Sequence, residues 1–451
     1  MLAAPKPESG LLLVSSSSDI PGSVLSDIFV QKNCSLHVRG NLRGNLTIEK
    51  GANVVIEGGI DGKVVNRGGR LLVHNRGIAE FVKTEGPPEA QAGGVLKVSL
   101  TAIGFNWQSL AKQVAGECAA VVKADAFGLG IDPVASTLAE AGCRTLFVSN
   151  LHEARSARAA APKATIYVLR GLYPGTGSAF AEISARPVIN SLIEMAEWDV
   201  FVASSHWQGG FAVNVDTGMS RQGLTMQEAA AIAARLAVPT HGITLLMSHF
   251  DNLERADQVD RQLAVFQDLR RLYAGIPATI ANSAAIFLGA KTHCDLVRPG
   301  TALLGVNPTP SLRNPMLPVI ELKARIVQVR TMAPGESIAD NPGWTAKRQT
   351  RLAIVPVGYA DGYPRSGGAN ELTLQALVGG RPCKIVGRST MDLMVIDVTD
   401  LPDQGLARQG EMVTLIGEGL GIDDLAAAAR TSSVELLCNL GQRFHRVYHA
   451  N

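Results

Sequence analysis

Short alternations of apolar and polar residues, separated by glycines, fill the first 85 residues of the chain. Segments such as NLTIE, NVVIE and RLLVHN have the alternation of half-buried β-strands. The segments recur at about 18 residues, with Leu42, Ile60 and Ile78 in register, and a fixed period indicates stacked repeats. The pattern predicts a small all-β, solenoid-like domain over residues 1–85, with one repeat per rung. An irregular β-meander is the alternative.

A different pattern runs from residue 96 to 315, where short apolar strands alternate with Ala-rich amphipathic helices. TLFVSN and GITLLMSH are typical of buried strands, and MQEAAAIAARLA is typical of a helix. About eight such strand–helix units predict an α/β fold built on a parallel (β/α)8 barrel. A doubly wound sheet remains the alternative, because periodicity does not decide whether the sheet closes.

The pattern changes again from residue 316 to 451. RLAIVPVG, LMVIDVT and EMVTLIG are strands separated by Gly, Pro and Asp turns, which predicts a mostly antiparallel C-terminal β domain. Residues 86–95 have the Pro, Gly and Glu content of a linker between the N-terminal domain and the barrel.

Composition and charge narrow the function classes. The chain of 451 residues is 46% hydrophobic and 18% charged, which is typical of globular proteins. A net charge of +2 does not indicate nucleic acid or an anionic membrane as a partner. The six cysteines are scattered without a CxxC pair, so we expect neither a disulfide framework nor a metal site. No secretion signal or membrane span is evident, and we expect a cytoplasmic protein that binds a small molecule.

One lysine, Lys123, stands at the end of the apolar strand AAVVK within AVVKADAFGLG. In a (β/α)8 barrel the chemistry lies at this end of the strands. A desolvated lysine has a lowered pKa, so its neutral amine can attack a carbonyl and form a Schiff base. A structural lysine that extends its amine to solvent is the alternative.

Seven motifs, in order, resemble those of the alanine racemase family of pyridoxal-phosphate enzymes. They are VVKADAFGLG, VDTGMSRQG, MSHF, ANSAA, VRPG, VGYADGYPR and GRSTMD. The resemblance covers residues 96 to 450, and the ordered set is far more specific than any single motif. It implies that pyridoxal phosphate serves the interconversion of L- and D-alanine, which supplies D-alanine for peptidoglycan. The N-terminal segment is similar, over a short stretch, to the rungs of bactofilin-like polymer-forming domains.

The resemblance also implies two catalytic bases. Lys123 matches the lysine that carries the cofactor as a Schiff base, and Tyr359 matches the second base. Racemisation needs such a pair, because one group removes the α-proton and another returns a proton to the opposite face. An exposed tyrosine is a poor base, and His249 and Arg298 match the residues that form a hydrogen-bonded network behind it. In that family the tyrosine comes from the partner subunit, which implies a homodimer.

Further matches concern the cofactor. Arg298 matches the residue at the pyridine nitrogen, where a protonated guanidinium donates a hydrogen bond without protonating the ring. The phosphate is expected to be held by neutral donors rather than by lysines. The matching residues are Asn282, Ser283, Gly300 and Thr301.

Three residues match the family's substrate contacts. Arg221 in VDTGMSRQG matches the residue that binds the substrate carboxylate. Met391 is expected to give a backbone N–H to the same carboxylate, and the adjacent Asp392 is expected to orient this segment.

The chain departs from the family pattern at three positions. Phe127 stands where many members have a tyrosine whose hydroxyl contacts the phosphate. Asn214 stands where many members have a carbamylated lysine, so a small anion such as chloride is expected beside Arg221. Gln442 aligns with a tyrosine that shapes the methyl pocket in some members, which brings strict alanine specificity into question.

The alternatives to an alanine racemase come from several classes. A broad-specificity racemase acting on serine or basic residues is the nearest, followed by a fold-related amino-acid decarboxylase, which uses a C-terminal cysteine motif not seen here. A non-catalytic pyridoxal-phosphate carrier would lack the C-terminal β domain. A scaffold that assembles further through residues 1–85 is compatible with an enzyme.

Overall fold

The computed structural model describes residues 10–73, 78–238, 242–338, 344–365 and 374–450. The chain divides into two compact units. The β unit comprises residues 1–101, 320–432 and 439–451, and the barrel unit comprises residues 102–319 and 433–438. The domain boundaries given above stay predictions.

Ten short strands form the N-terminal part of the β unit, and they stack in parallel on three faces. These strands are β1 (Leu12–Val14), β2 (Ser18–Ile20), β3 (Ile28–Val30), β4 (Ser35–Val38), β5 (Leu42–Arg43), β6 (Leu46–Ile48), β7 (Asn53–Ile56), β8 (Ile60–Asn66), β9 (Arg70–Val73) and β10 (Ile78–Glu85). One face has the order β1-β3-β6-β8-β10 and a second has the order β2-β4-β7-β9.

The register of the third face follows the repeat seen in the sequence. Leu42 pairs with Ile60, and Ile60 pairs with Ile78, so the solenoid prediction is confirmed and the meander alternative is wrong. The inward side chains of the rungs, including Leu36 and Val54, form one apolar core. Side chains link successive rungs at a corner: the Asn45 N–H donates to Asp27 Oδ1 at 2.7 Å, and the Lys63 N–H donates to Asn45 Oδ1 at 3.0 Å.

Strand β11 (Gly94–Ser99) precedes the barrel unit, whose parallel strands and helices alternate. The strands are β12 (Glu117–Cys118), β13 (Ala120–Val121), β14 (Thr145–Val148), β15 (Thr165–Val168), β16 (Ala185–Ile189), β17 (Phe211–Asn214), β18 (Ile243–Met247), β19 (Ala278–Thr279) and β20 (Leu296–Val297). The helices are α1 (Leu100–Ala111), α3 (Ile131–Ala141), α4 (Leu151–Ala160), α5 (Gly177–Glu182), α6 (Leu192–Ser205), α7 (Met226–Ala233) and α8 (Ala256–Leu272), and the short element α2 (Lys123–Phe127) is a left-handed turn.

The barrel sheet closes on itself. Strands β12 and β13 are two halves of one strand, which pairs with β14 on one side and β20 on the other. On the far side, β14 to β19 pair in sequence order, and the N–H of Asp295 donates to Ala278 O at 3.0 Å between β19 and β20. Eight parallel strands therefore form a closed (β/α)8 barrel, and the doubly wound alternative is wrong.

The rest of the β unit is mostly antiparallel, as predicted. Its elements are β21 (Ile320–Arg325), β22 (Gln328–Met332), β23 (Thr350–Val355), β24 (Gln375–Val378), β25 (Arg381–Lys384), β26 (Met394–Asp397), β27 (Met412–Ile416), α9 (Ile422–Ala429) and β28 (His445–Ala450). Helix α10 (Ser433–Asn439), which lies between α9 and β28 in the chain, belongs to the barrel unit as far as Cys438. Single 3-10 turns occur at Glu89–Gln91, Ala234–Ala237, Ala285–Leu288, Ala290–Thr292, Thr301–Leu304, Tyr359–Asp361 and Gln404–Leu406.

One sheet joins the N-terminal and C-terminal parts of the β unit. Strand β28 pairs antiparallel with β10 on one side and parallel with β11 on the other. The Tyr448 hydroxyl donates to Glu85 Oε2 at 3.2 Å across this junction, and His445 Nδ1 lies 2.9 Å from Pro87 O. The solenoid is therefore continuous with the C-terminal sheet by backbone hydrogen bonds, which the sequence pattern did not indicate.

Within the described part of the chain, no helix has both the length and the apolar character needed to cross a membrane.

Candidate active site

A cavity of about 510 Å³ lies at the carboxyl ends of the barrel strands, within the barrel unit. Its walls come from the segments that follow most of these strands, which is where barrel enzymes place their chemistry. The lining includes, from the residues predicted above, Lys123, Phe127, Asn214, Arg221, His249, Asn282, Ser283, Arg298, Gly300 and Thr301. Side chains that are far apart in sequence are therefore brought to one cavity.

Lys123 is solvent-accessible at the wall of this cavity rather than buried in the core. It follows β13 directly and begins a turn whose backbone is left-handed, with positive φ at Ala124, Asp125, Ala126 and Phe127. The pKa of Lys123 is lowered, first because the surrounding protein desolvates the ammonium group, and then because of the positive charge of Arg221. The amine is therefore shifted towards its neutral, nucleophilic form.

At another part of the cavity wall, Ser283 organises a set of neutral donors. Its Oγ accepts the N–H of Gly300 at 3.0 Å and that of Ala302 at 3.2 Å. Because a hydroxyl oxygen has two lone pairs, the Ser283 hydrogen is left to donate elsewhere. The Thr301 N–H has no hydrogen-bond partner among the described residues. Of the two backbone donors predicted here, the Gly300 N–H is thus engaged by Ser283, and the Thr301 N–H is available.

Phe127 and Asn282 complete this part of the wall. The Phe127 ring lies so close to Gly300 that a Cβ there would come to 2.9 Å from it, so any larger residue at position 300 would displace the ring. Asn282 Oδ1 accepts the N–H of Ala285 at 3.0 Å and caps the following 3-10 turn.

Arg298 is buried, with 5% of its surface exposed. Its Nε donates to the Thr279 hydroxyl at 3.0 Å, and Nη2 donates to the carbonyl oxygen of Ser248. Its guanidinium carbon lies 5.7 Å from the centre of the Phe147 ring. Burial lowers the pKa of Arg298 to about 10, so the group remains protonated at neutral pH.

His249 follows β18 and lies among cations. Burial, then the positive charges of Arg298, Arg221 and Lys123, lower the pKa of His249 to about 3. The imidazole is therefore neutral at physiological pH and can both donate and accept a hydrogen bond.

Arg221 is exposed and lines the cavity from a tight loop after β17. Asp216 holds this loop, because its Oδ1 accepts the N–H groups of Gly218, Met219 and Ser220 at 2.9 to 3.1 Å. The Asp216 carboxylate thus fixes the backbone that leads to Arg221.

Asn214 is buried, and both hydrogens of its amide are already used. Nδ2 donates to Asn190 Oδ1 at 2.8 Å and to Gln222 O at 3.2 Å. The side chain therefore presents its oxygen, an acceptor, and gives no free donor to an anion. The expected anion beside Arg221 stays a prediction, and this hydrogen-bond pattern does not favour it.

The remaining predicted residues belong to the β unit. Tyr359 and Met391 lie on adjacent turns, where the N–H of Ala360 donates to Met391 O at 3.0 Å. Both side chains are exposed, and the guanidinium of Arg365 lies 5.5 Å from the centre of the Tyr359 ring. Gln442 is exposed in the segment before β28.

An arginine that the sequence reasoning missed holds these turns. Arg443 lies 3.2 Å from Asp361 Oδ1 and donates to Asp392 Oδ1 at 2.8 Å. Asp361 also accepts the N–H of Gly358 at 2.9 Å. The signal in the sequence is a pair of aspartates close to the predicted functional residues: Asp392 directly follows Met391, and Asp361 is two residues after Tyr359.

A buried polar chain behind the cavity was also missed. Gln262 on α8 donates to Thr217 Oγ1 at 3.3 Å and to His249 O at 3.2 Å, and Thr217 and Ser248 hydroxyls lie 2.8 Å apart. Gln262 is 2% exposed. It ties the loop that carries Arg221 to the segment that carries His249. A glutamine at an apolar position of a helix is the only signal in the sequence.

The donor set fits pyridoxal phosphate. An amine with a lowered pKa, a free hydroxyl hydrogen on Ser283 and a free N–H on Thr301 line the same cavity. Arg221 and Arg298 add positive charge, which suits an anionic cofactor and an amino-acid carboxylate.

Two protein-family models together match most of the chain. Residues 98–308 match the family model described as "Alanine racemase, N-terminal domain", and residues 319–448 match "Alanine racemase, C-terminal domain". An alanine racemase of Methylobacterium sp. (strain 4-46) is 46% identical over 79% of this chain and 98% of its own length. Relatives from Agrobacterium fabrum, one named catabolic and one named biosynthetic, are 39% and 36% identical over 79% and 78% of this chain and 92% and 93% of their own lengths.

Solved structures give the same result. The alanine racemase of Bartonella henselae with covalently bound pyridoxal phosphate has a TM-score of 0.74 and 32% identity. The biosynthetic alanine racemase of Pseudomonas aeruginosa has a TM-score of 0.71 and 32% identity. Each match covers 79% of this chain and 99% of the solved chain.

The lowered pKa of His249 predicts a pH dependence of stability. The pKa falls from 6.5 to about 3 on folding, so the unfolded chain binds more protons below pH 6.5. The stabilisation is fully present above pH 6.5 and is lost as the pH falls towards 3, by up to about 1.4 kcal/mol per pH unit. We expect His249→Gln to remove this slope, measured as the free energy of denaturant unfolding above and below pH 6.5. His206→Asn, at an exposed position, is the control, and an unchanged slope in His249→Gln contradicts the prediction.

Proposed function

The chain belongs to the alanine racemase family, and from this we propose which of its residues carry the reaction. The reaction is the interconversion of L- and D-alanine with pyridoxal phosphate as cofactor. The main support for this proposal is that one cavity at the carboxyl ends of the barrel strands is lined by Lys123, Ser283, Arg221 and Arg298.

Pyridoxal phosphate, when bound, withdraws electrons from the α-carbon of the amino acid and so acidifies its α-hydrogen. Lys123 is proposed to hold the cofactor and then to carry a proton on one face of the α-carbon. Its lowered pKa supports this role, because a neutral amine can accept that proton. Tyr359 is proposed to carry the proton on the opposite face.

Other residues are proposed to bind and orient the cofactor. Ser283 and Thr301 are proposed to donate to the phosphate, with Asn282 and Gly300 shaping the wall behind them. Arg298 is proposed to donate to the pyridine nitrogen, since its guanidinium is fixed by the Thr279 hydroxyl and the Ser248 carbonyl.

For the substrate, Arg221 is proposed to bind the carboxylate, and the Met391 N–H to donate to it, with Asp392 held by Arg443 behind that turn. A neutral His249 beside Arg298 is proposed to be a hydrogen-bonding member of the network behind Tyr359.

The alternatives are less well supported. The match of residues 319–448 to the C-terminal domain disfavours a non-catalytic carrier, which would lack that domain. A decarboxylase and a broad-specificity racemase are disfavoured by the relatives, which are named alanine racemases. Gln442 remains the position at which the substrate range would be altered, because it aligns with the tyrosine that shapes the methyl pocket in some members.

A homodimer is proposed, with Tyr359 supplied to the cavity of the partner subunit. Tyr359, Met391 and Leu393 are 42%, 53% and 40% exposed, which is unusual for large apolar side chains on neighbouring turns. A surface of this kind is typical of an interface. A cytoplasmic location is proposed because the six cysteines are free, three of them buried as thiols.

The N-terminal solenoid is proposed to assemble with further copies of this chain. The Methylobacterium relative is covered over 98% of its length while 79% of this chain is matched, and the family models begin at residue 98. The solenoid is therefore an addition to the racemase fold. Strand β1 pairs only with β3 among the described residues, and the neighbouring Leu11 and Leu13 are 65% and 53% exposed.

Replacing Lys123 tests the catalytic assignment. In deuterated water with pyridoxal phosphate and L-alanine, the protein should form D-alanine and acquire deuterium at the α-carbon at the same time. Lys123→Ala should lower both by about 10²–10⁴-fold or more, because it removes the acid–base group of one face. Lys112→Ala, at an exposed lysine of the barrel unit, should leave both unchanged. Full deuterium exchange in Lys123→Ala contradicts the assignment.

Mixed dimers test the origin of the tyrosine. Lys123→Ala and Tyr359→Phe should each be inactive alone. When they are co-expressed with different tags, one of the two sites of each mixed dimer contains neither change, so isolated mixed dimers should have about one half of the wild-type activity. No recovery in isolated mixed dimers would show that Lys123 and Tyr359 of the same subunit act together.

Removing residues 1–90 tests the solenoid. We expect turnover close to that of the full chain, because the family matches begin after this segment, together with a smaller assembly in sedimentation experiments. An unchanged assembly size contradicts the proposed self-association. Loss of turnover would show instead that the pairing of β10 with β28 supports the enzyme fold.

A further inference from the structure

The backbone that follows Lys123 is strained. Ala124, Asp125, Ala126 and Phe127 have φ of 53°, 55°, 52° and 56°, although none is glycine. Left-handed backbone costs an L-residue about 1–2 kcal/mol, so four in succession persist only when surrounding contacts enforce them. The segment directly continues the residue proposed to hold the cofactor. The contacts that enforce this turn therefore also fix where the Lys123 side chain begins.

One carboxylate enforces the first peptide of the turn. Glu153 Oε1 accepts the N–H of Ala124 at 2.9 Å, and its Oε2 accepts the N–H of Ser149 at 2.6 Å. Glu153 lies in the first turn of α4, which Asn150 caps. A single side chain thus links the chain after β13 with the chain after β14. Asp125 fastens the other end of the turn, since its Oδ1 accepts the N–H of Ile131 at 2.7 Å.

The same arrangement recurs two strands further along the barrel, without a lysine. Glu194 lies in the first turn of α6, which Ser191 caps, and its Oε2 accepts the N–H of Asn190 at 2.8 Å. A second backbone bond, from Leu172, reaches the same carboxylate. Each glutamate therefore ties the ends of two successive strands, but Glu153 alone of the two holds the turn of Lys123. This gives a matched control inside the molecule.

We propose that Glu153 is a positioning residue for Lys123: its carboxylate locks the Ala124 peptide and so fixes the direction in which the lysine enters the cavity. The proposal rests on the proposed role of Lys123 as the residue that holds pyridoxal phosphate. An ionised carboxylate suits this position, because both oxygens accept. A glutamine would turn its NH2 group towards one of the two N–H donors and lose that bond.

Charge gives the proposal a second signature. The positive charges of Arg221 and Arg298 lower the pKa of Lys123. Cys438 and Glu153 act in the opposite direction and raise it. His249 also lies near and is neutral. Removing the negative charge of Glu153 should therefore make Lys123 neutral at lower pH. A residue that only stabilised α4 would not move the pH profile of the lysine.

The test compares Glu153→Gln with Glu194→Gln in the full-length protein. The cofactor is removed, pyridoxal phosphate is added back over a range of pH, and borohydride fixes the lysine-bound fraction for mass spectrometry. We expect Glu153→Gln to load Lys123 about tenfold more slowly or worse, as expected for a misplaced reacting group, with its pH profile shifted to lower pH. Glu194→Gln should load at the wild-type rate with an unshifted profile.

Several results would overturn the proposal. The proposal is wrong if Glu153→Gln loads Lys123 at the wild-type rate. It is also wrong if Glu153→Gln and Glu194→Gln are slowed equally, because both glutamates would then only stabilise the barrel. Lys123→Ala keeps the two hypotheses apart: loading of another lysine in that variant would refute the proposed function itself. If Glu153→Gln does not fold, hydrogen exchange in the wild-type protein decides. The Ala124 amide should be protected, and rapid exchange there would overturn the proposal.

Discussion

The hydrogen bonds that close the barrel between its first and last strands are the constraint on which the site depends. The N–H of Ala119 donates to Val297 O at 3.0 Å, and that of Val121 donates to Pro299 O at 2.8 Å. These bonds place the start of the Lys123 turn beside the segment that holds Arg298 and Gly300. Without closure, Lys123 and the neutral donors of Ser283 and Thr301 would lie at opposite edges of an open sheet.

Closure concentrates positive charge where water is partly excluded. Lys123, Arg221 and Arg298 surround one cavity, and His249 responds by remaining neutral. The protein offsets the cost of burying Arg298 with the Thr279 hydroxyl and with carbonyl oxygens rather than with a carboxylate. The local charge thus remains positive, which suits a phosphate group and an amino-acid carboxylate. Together with desolvation, this charge lowers the pKa of Lys123, which supports its proposed role.

The β unit depends on a different interaction, the two-sided pairing of β28. This strand joins β10 of the solenoid to β11, and the segment just before it contains Arg443, which holds Asp361 and Asp392 beside the turns of Tyr359 and Met391. The last rung of the solenoid, β10, therefore pairs with β28, the strand that follows Arg443. Arg443 in turn holds the turns that are proposed to act in catalysis. A solenoid normally leaves its terminal strand edge open, and here the final rung is covered by the sheet of the same unit.

Local patterns determined a large part of this structure. The 18-residue register of Leu42, Ile60 and Ile78, the alternation of strands and helices in the barrel, and the ordered motifs that place Lys123, His249 and Arg298 are all legible in the sequence, because each depends on neighbours along the chain. The tertiary structure alone decided the closure of the barrel, the pairing of β10 with β28, the capture of the Gly300 N–H by Ser283 and the hold of Glu153 on the lysine turn. Each of these joins a backbone group to a partner distant in sequence, and a backbone N–H or carbonyl carries no sequence signal of the partner that it will find.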